Sequence, residues 1–162
     1  SFVANMAWER LDTLPKSRLA WCYGDMEVAL ALWKGGKTLN RQDSMKLAVE
    51  TLLFATTRTE QKDTMAFDAG LGHGTEGVGQ IFHYMYKETQ ENKFFNTYKY
   101  WKDETVSMLY HTDGIGGHKK FNGRDKIWET SATVLEGSAG VGLFLLSEHN
   151  ADWDEILLLN FK

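Results

Sequence analysis

Two side chains in this sequence combine metal-ligand chemistry with an informative setting. Cys22 is the only cysteine of the chain and stands in Trp21-Cys22-Tyr23-Gly24-Asp25. His73 stands between glycines in Gly70-Leu71-Gly72-His73-Gly74-Thr75. A single cysteine forms no intramolecular disulfide, and taken alone it is most often a small buried hydrophobe. Glycines on both sides of a histidine leave the imidazole and its neighbouring N–H groups exposed at a helix start, which suits a metal or an anion better than core packing. Glu76 follows His73 by three residues and shares its helical face. His/carboxylate pairs at that spacing bind metals in helical proteins. An acidic residue in a first turn is also favoured simply by the helix dipole, and that is the expected role of Glu76.

These residues need elements to hold them, and the sequence repeats one device three times. Cys22-Tyr23-Gly24-Asp25, His73-Gly74-Thr75-Glu76-Gly77-Val78-Gly79 and Glu136-Gly137-Ser138-Ala139-Gly140-Val141-Gly142 each lead into an apolar helix. Gly24, Gly74 and Gly137 align, with separations of 50 and 63 residues that each leave room for one buried and one outer helix. A buried helix that starts at a crowded axis needs positions without Cβ for close backbone approach. If Gly24 and Gly74 open adjacent buried helices, Cys22 and His73 project from neighbouring loops at one end of that axis.

The helical reading extends along the chain. Residues 24–34 are apolar nearly all round and are expected to stop at Gly35-Gly36. Asn40 is the expected N-cap of an amphipathic helix whose Met45, Ala48, Val49, Leu52, Leu53 and Ala55 fall at helical spacing. Further helices are expected over 75–87, from Phe94 to about Tyr110, over 133–147 and, briefly, over 153–159. Residues 111–130 are expected to form a long polar loop. One proline beside 15 glycines fits long helices broken by glycine. The fold class expected is all-α, an α/α toroid of helix pairs in partial form, about three repeats, spanning residues 1–162 as one domain.

Composition bounds the function. The 18 Lys+Arg against 22 Asp+Glu give a net charge of −4 with no strongly basic segment, which argues against a nucleic-acid surface. No apolar run reaches the ~18–20 residues of a membrane span, and the first residues lack a signal-peptide layout, so a soluble, cytoplasmic protein is expected. The chain opens without Met and is expected to be a piece of something larger. His83, His111, His118 and His149 are read as surface or packing histidines.

The ordered set of motifs resembles the lanthionine synthetase C-like (lanthipeptide cyclase) family. The residues that carry the likeness are Ser17-Arg18-Leu19-Ala20-Trp21-Cys22-Tyr23-Gly24-Asp25, Gly70-Leu71-Gly72-His73-Gly74-Thr75, Leu135-Glu136-Gly137-Ser138-Ala139-Gly140-Val141-Gly142-Leu143 and Trp153-Asp154. The resemblance runs from about Ser17 to Leu159 and corresponds to the C-terminal part of a longer toroid. It implies addition of a peptide cysteine thiol to a dehydroalanine or dehydrobutyrine, closing a thioether ring. It also implies zinc, which stabilises the attacking thiolate.

By motif, Cys22 and His73 match two of the family's three zinc ligands. The second cysteine ligand is replaced by Gly72. Arg18 and Tyr23 match residues that would serve the enolate formed by addition, Arg18 through its charge and Tyr23 through a hydrogen bond. The family's catalytic histidine and aspartate would precede residue 1. Glu27 stands where the family, like Gly77 and Gly140 here, has glycine.

The resemblance implies a dehydrated precursor peptide as substrate and a dehydratase as partner. An incomplete toroid would also expose apolar flanks and self-associate. Two alternatives are a metal-deficient, non-catalytic peptide-binding or docking member of the family and a carbohydrate-active toroid. The latter would draw its paired carboxylates from Glu27, Glu76 and Glu136.

Overall fold

A computed structural model of the chain describes residues 17–149 and 152–157. They divide between Ala66 and Phe67 into two compact units. The fold class is all-α, as expected.

In the first unit, α1 (Asp25–Leu39) and α2 (Gln42–Ala55) pack against each other. The contact follows from spacing. Met26, Ala29, Leu30 and Trp33 form one buried stripe of α1, and Ala48, Leu52 and Ala55 form the buried stripe of α2. Gly35-Gly36 does not stop α1. The helix runs through both, and a Cβ on Gly36 would lie 2.6 Å from Met45 Cγ, so the glycine lets the start of α2 come close. Asn40 is not the N-cap of α2 but the left-handed C-cap of α1 (φ 54°), and Arg41 N donates to Gly36 O at 2.8 Å. A single turn, α3 (Gln61–Thr64), completes this unit.

The second unit is built on α4 (Thr75–Thr89), which is buried at every residue from Thr75 to Met85. Against it lies α5 (Asn92–Ser107), through Phe94, Tyr98, Trp101 and Thr105 at helical spacing. Phe82 and Phe94 rings are 5.9 Å apart, and His83 stacks on Tyr98 at 4.4 Å. The α5 helix ends at Ser107, short of the expected Tyr110. The following stretch, expected as plain loop, holds a hairpin of β1 (Lys120–Asn122) and β2 (Ile127–Glu129). Lys120 lies opposite Glu129, Phe121 opposite Trp128 and Asn122 opposite Ile127.

The last helix, α6 (Ser138–Leu146), starts at its glycine and not at Thr133. It meets α4 where a Cβ on Gly79 would fall 2.5 Å from Phe144 Cζ. The terminal segment is a 3₁₀ turn, Asp152–Leu157, and the rest of the expected 153–159 helix lies outside the described residues. Buried Asp154 accepts from Gln80 Nε2 at 2.7 Å, and Trp153 Nε1 donates to Ser147 Oγ at 3.0 Å, so this turn is tied to α4 and α6. Among the described residues no helix is long and apolar enough to cross a membrane.

Candidate functional site

Three glycines, Gly24, Gly74 and Gly137, cap the N-termini of α1, α4 and α6, as the aligned sequence elbows predict. The close approach each makes is to its own lead-in loop. A Cβ would lie 2.7 Å from Arg18 O at Gly24, 2.3 Å from Asp68 O at Gly74 and 2.4 Å from Thr133 N at Gly137. Gly24 also has φ 86°, a conformation that strains any other residue. The expected approach of a neighbouring helix's backbone is thus replaced by tight folding of the chain on itself.

In the first elbow, Leu19 bridges to Gly24 and Leu19 N donates to Thr64 O at 3.0 Å. This turn brings Arg18 to Tyr23: Arg18 Nη1 donates to Tyr23 Oη at 2.9 Å, and the guanidinium lies 5.7 Å from the tyrosine ring centre. Arg18 Nη2 donates to the Met65 carbonyl. Cys22 is half-buried beside this pair. Burial pushes its thiol above the ordinary value, an effect that the Arg18 charge opposes only in part.

A buried ion pair that the sequence reading missed holds the elbow. Arg58 Nη1 donates to Asp25 Oδ2 at 2.9 Å with both side chains out of solvent, and Arg58 Nη2 donates to the Ser17 and Asp63 carbonyls. Asp25 N donates to Ser17 Oγ at 3.2 Å. Arg58 therefore fastens both ends of the segment that presents Arg18, Cys22 and Tyr23.

In the second elbow the backbone does the holding. Gly74 N donates to Gly70 O at 2.8 Å, Thr75 N to Asp68 O at 3.0 Å and Glu76 N to Ala69 O at 3.3 Å. His73 is exposed, as expected, but the helix-start N–H groups beside it are spent on these carbonyls, which removes the anion-site part of the expectation. Gly72 N donates to Leu135 O at 2.8 Å, joining the second elbow to the third. Asp68, also missed, accepts from Gly70 N at 2.9 Å and from Phe121 N at 2.6 Å.

Glu76 is fully buried, and neither carboxylate oxygen has a hydrogen-bond partner. Burial, helped by the Asp68 charge, pushes its carboxyl up to about 9. The group is a neutral acid at pH 7, not the charged first-turn residue that the dipole reading expects.

The three carboxylates of the carbohydrate reading have unlike surroundings. Glu27 is exposed, Glu76 is sealed, and Glu136 pairs with Lys120 at 3.2 Å. His83 and His118 are buried, burial lowering both, His83 to about 4. His111 lies tilted against Trp128 at 4.6 Å and His149 is exposed, which agrees with packing and surface roles. Among the described residues, no three His, Cys, Asp or Glu side chains are grouped to hold a metal ion.

Comparison with known protein families gives a match to the model described as lanthionine synthetase C-like protein, over residues 5–158. No curated protein matches the chain.

Proposed function

Because this chain belongs to the lanthionine synthetase C-like family, we propose that it acts on dehydrated peptides and promotes addition of a peptide cysteine thiol to a dehydroamino acid. The observation that carries this reading is the Arg18–Tyr23 pair beside Cys22, held by the buried Arg58–Asp25 clamp. In the addition, the C–S bond forms at the β-carbon of the dehydro residue. The double-bond pair moves onto Cα and its carbonyl as an enolate, and the proton given up by the thiol is returned at Cα. The Arg18 guanidinium answers the developing charge on the enolate oxygen. Tyr23 donates its hydroxyl proton to the same oxygen, strengthened as a donor because its oxygen accepts from Arg18.

Zinc is the metal this family implies. The donors present supply two of the three protein ligands, Cys22 and His73, and Gly72 supplies none. That set does not fit a three-ligand catalytic zinc site, and no step above runs through a metal. This departure favours a second reading, a family member that binds peptides without turning them over. A dehydratase partner and self-association belong to both readings.

Thioether closure leaves the peptide's mass unchanged, so the test is loss of alkylatable thiol from a synthetic peptide carrying one cysteine and one dehydroalanine. Thiol loss promoted by the intact chain is expected. Arg18→Gln should slow it roughly 10²-fold and Tyr23→Phe less. Peptide binding without thiol loss would establish the second reading instead.

A further inference from the structure

The hairpin of β1 and β2 has two unlike edges. Phe121 N points away from β2 and is taken by Asp68. In an antiparallel ladder an outward N–H marks a pair that does not exchange hydrogen bonds, so Phe121 and Trp128 form such a pair and the Trp128 N–H and C=O point out from the opposite edge. Neither has a partner among the described residues. One edge is closed by a carboxylate and the other is open.

A row of rings crosses the hairpin from β1 to β2. Phe67 lies 5.4 Å from Phe121, Phe121 5.2 Å from Trp128, Trp128 4.6 Å from His111, and His111 4.3 Å from Tyr110. This ladder is not core: Phe67 is 42% exposed, Trp128 37% and Tyr110 62%. At the hairpin tip, Arg124 and Lys126 are exposed and have no carboxylate partner among the described residues, while Asp125 accepts from the Asn122 amide.

We propose that the β2 edge is a docking strand for an extended peptide that carries aromatic or aliphatic side chains and carboxylates. The peptide main chain pairs with the Trp128 N–H and C=O as a third strand. Its apolar side chains lie on the ring ladder, and its carboxylates meet Arg124 and Lys126. The Asp68 carboxylate ties β1 to Gly70, so a peptide on β2 is anchored to the loop that presents His73. This deepens the peptide-processing reading and rests on it.

The test is fluorescence anisotropy of the intact chain with a labelled ten-residue probe of alternating Phe and Asp, which has no cysteine and no dehydro residue. Saturable binding is expected. It should weaken about tenfold in Trp128→Ala, and it should weaken less, with loss of its salt dependence, when Arg124→Gln and Lys126→Gln are combined. A probe N-methylated at every amide should not bind, because it has no strand N–H groups left. This arm decides the matter even if Trp128→Ala disturbs the hairpin, since the protein is unaltered.

Equal binding of the N-methylated probe, equal binding of a probe with Lys in place of Asp, or no saturation by roughly 1 mM would overturn the proposal. So would release of the probe as protein concentration rises, which would make a second copy of the chain the occupant. Failure here with thiol loss intact removes the docking strand alone. Probe binding with no thiol loss removes the cyclase reading alone.

Discussion

Asp25 in the first elbow and Glu76 in the second are both fully buried acids in the first turn of a helix capped by glycine, yet only Asp25 faces a cation, Arg58 at 2.9 Å. Neither oxygen of Glu76 has a hydrogen-bond partner. The elbows are closed by different means. The first depends on a charge pair between residues far apart in sequence. The second is closed by its own backbone, and its acid contributes nothing to that closure. In the repeat alignment Glu76 stands where the other elbows have Met26 and Ala139, so a carboxyl has been placed where packing requires none.

The largest expected effect breaks the first elbow. Asp25→Ala leaves the Arg58 charge buried and unpaired, which costs roughly 3–5 kcal/mol. Denaturant unfolding should show this loss, and a loss below about 1 kcal/mol would mean that the pair does not hold the elbow.

The second elbow should behave in the opposite way. The unfolded chain releases the Glu76 proton near the ordinary value of 4.5, whereas the folded chain keeps it up to about 9. The native state then binds more protons than the unfolded state across that window, so Glu76 makes stability fall as pH rises from about 4.5 to about 9. Glu76→Gln should remove the slope, which at about 1.4 kcal/mol per pH unit above the unfolded value amounts to several kcal/mol at pH 8 and to little at pH 4. Parallel stability–pH curves for the two proteins would contradict the neutral-acid assignment.

The smallest effect concerns the ligand that Gly72 does not supply. Gly72 is not among the positive-φ residues, and a Cβ there would meet Leu135 at an ordinary 3.5 Å, so Gly72→Cys and Gly72→Ala should both fold. Zinc affinity should rise by more than tenfold, about 1.4 kcal/mol, in the cysteine variant alone. Calorimetric titration that finds the two variants equal would mean that Cys22 and His73 share no metal.

What the sequence made legible was local. Glycines pressed against their own loops mark Gly24, Gly74 and Gly137 without help from distant residues, and the stripes of α2 and α5 follow from spacing, whereas α1, expected to be apolar nearly all round, buries one stripe only. Asn40 is not legible as a C-cap because asparagine serves equally well as an N-cap and as a left-handed C-cap, and the bond from Arg41 back to Gly36 decides between them. Gly35-Gly36 resembled a stop because the nearness of Met45 is invisible along the chain. The hairpin had a signal in Asn122-Gly123 between Phe121 and Ile127-Trp128, outweighed by the surrounding charges. Arg58 offered none: its partner Asp25 lies 33 residues away, and no periodicity relates them.

The self-closing elbows also bear on the order of folding. The ties from Gly74 to Gly70, Thr75 to Asp68 and Ser138 to Ser131 span only four to seven residues. Loops of about that length close in roughly 10–100 ns, far ahead of any contact that must wait for a distant segment. The starts of α4 and α6 are therefore expected to act as nuclei, with the Arg58–Asp25 clamp fastened late. Thr75→Pro, which removes the N–H given to Asp68, should slow refolding, whereas substitutions at Asp25 should mainly speed unfolding, and stopped-flow kinetics showing the reverse would refute this order. On that account the chain sets the starting points of its apolar helices before it has a core to put them in.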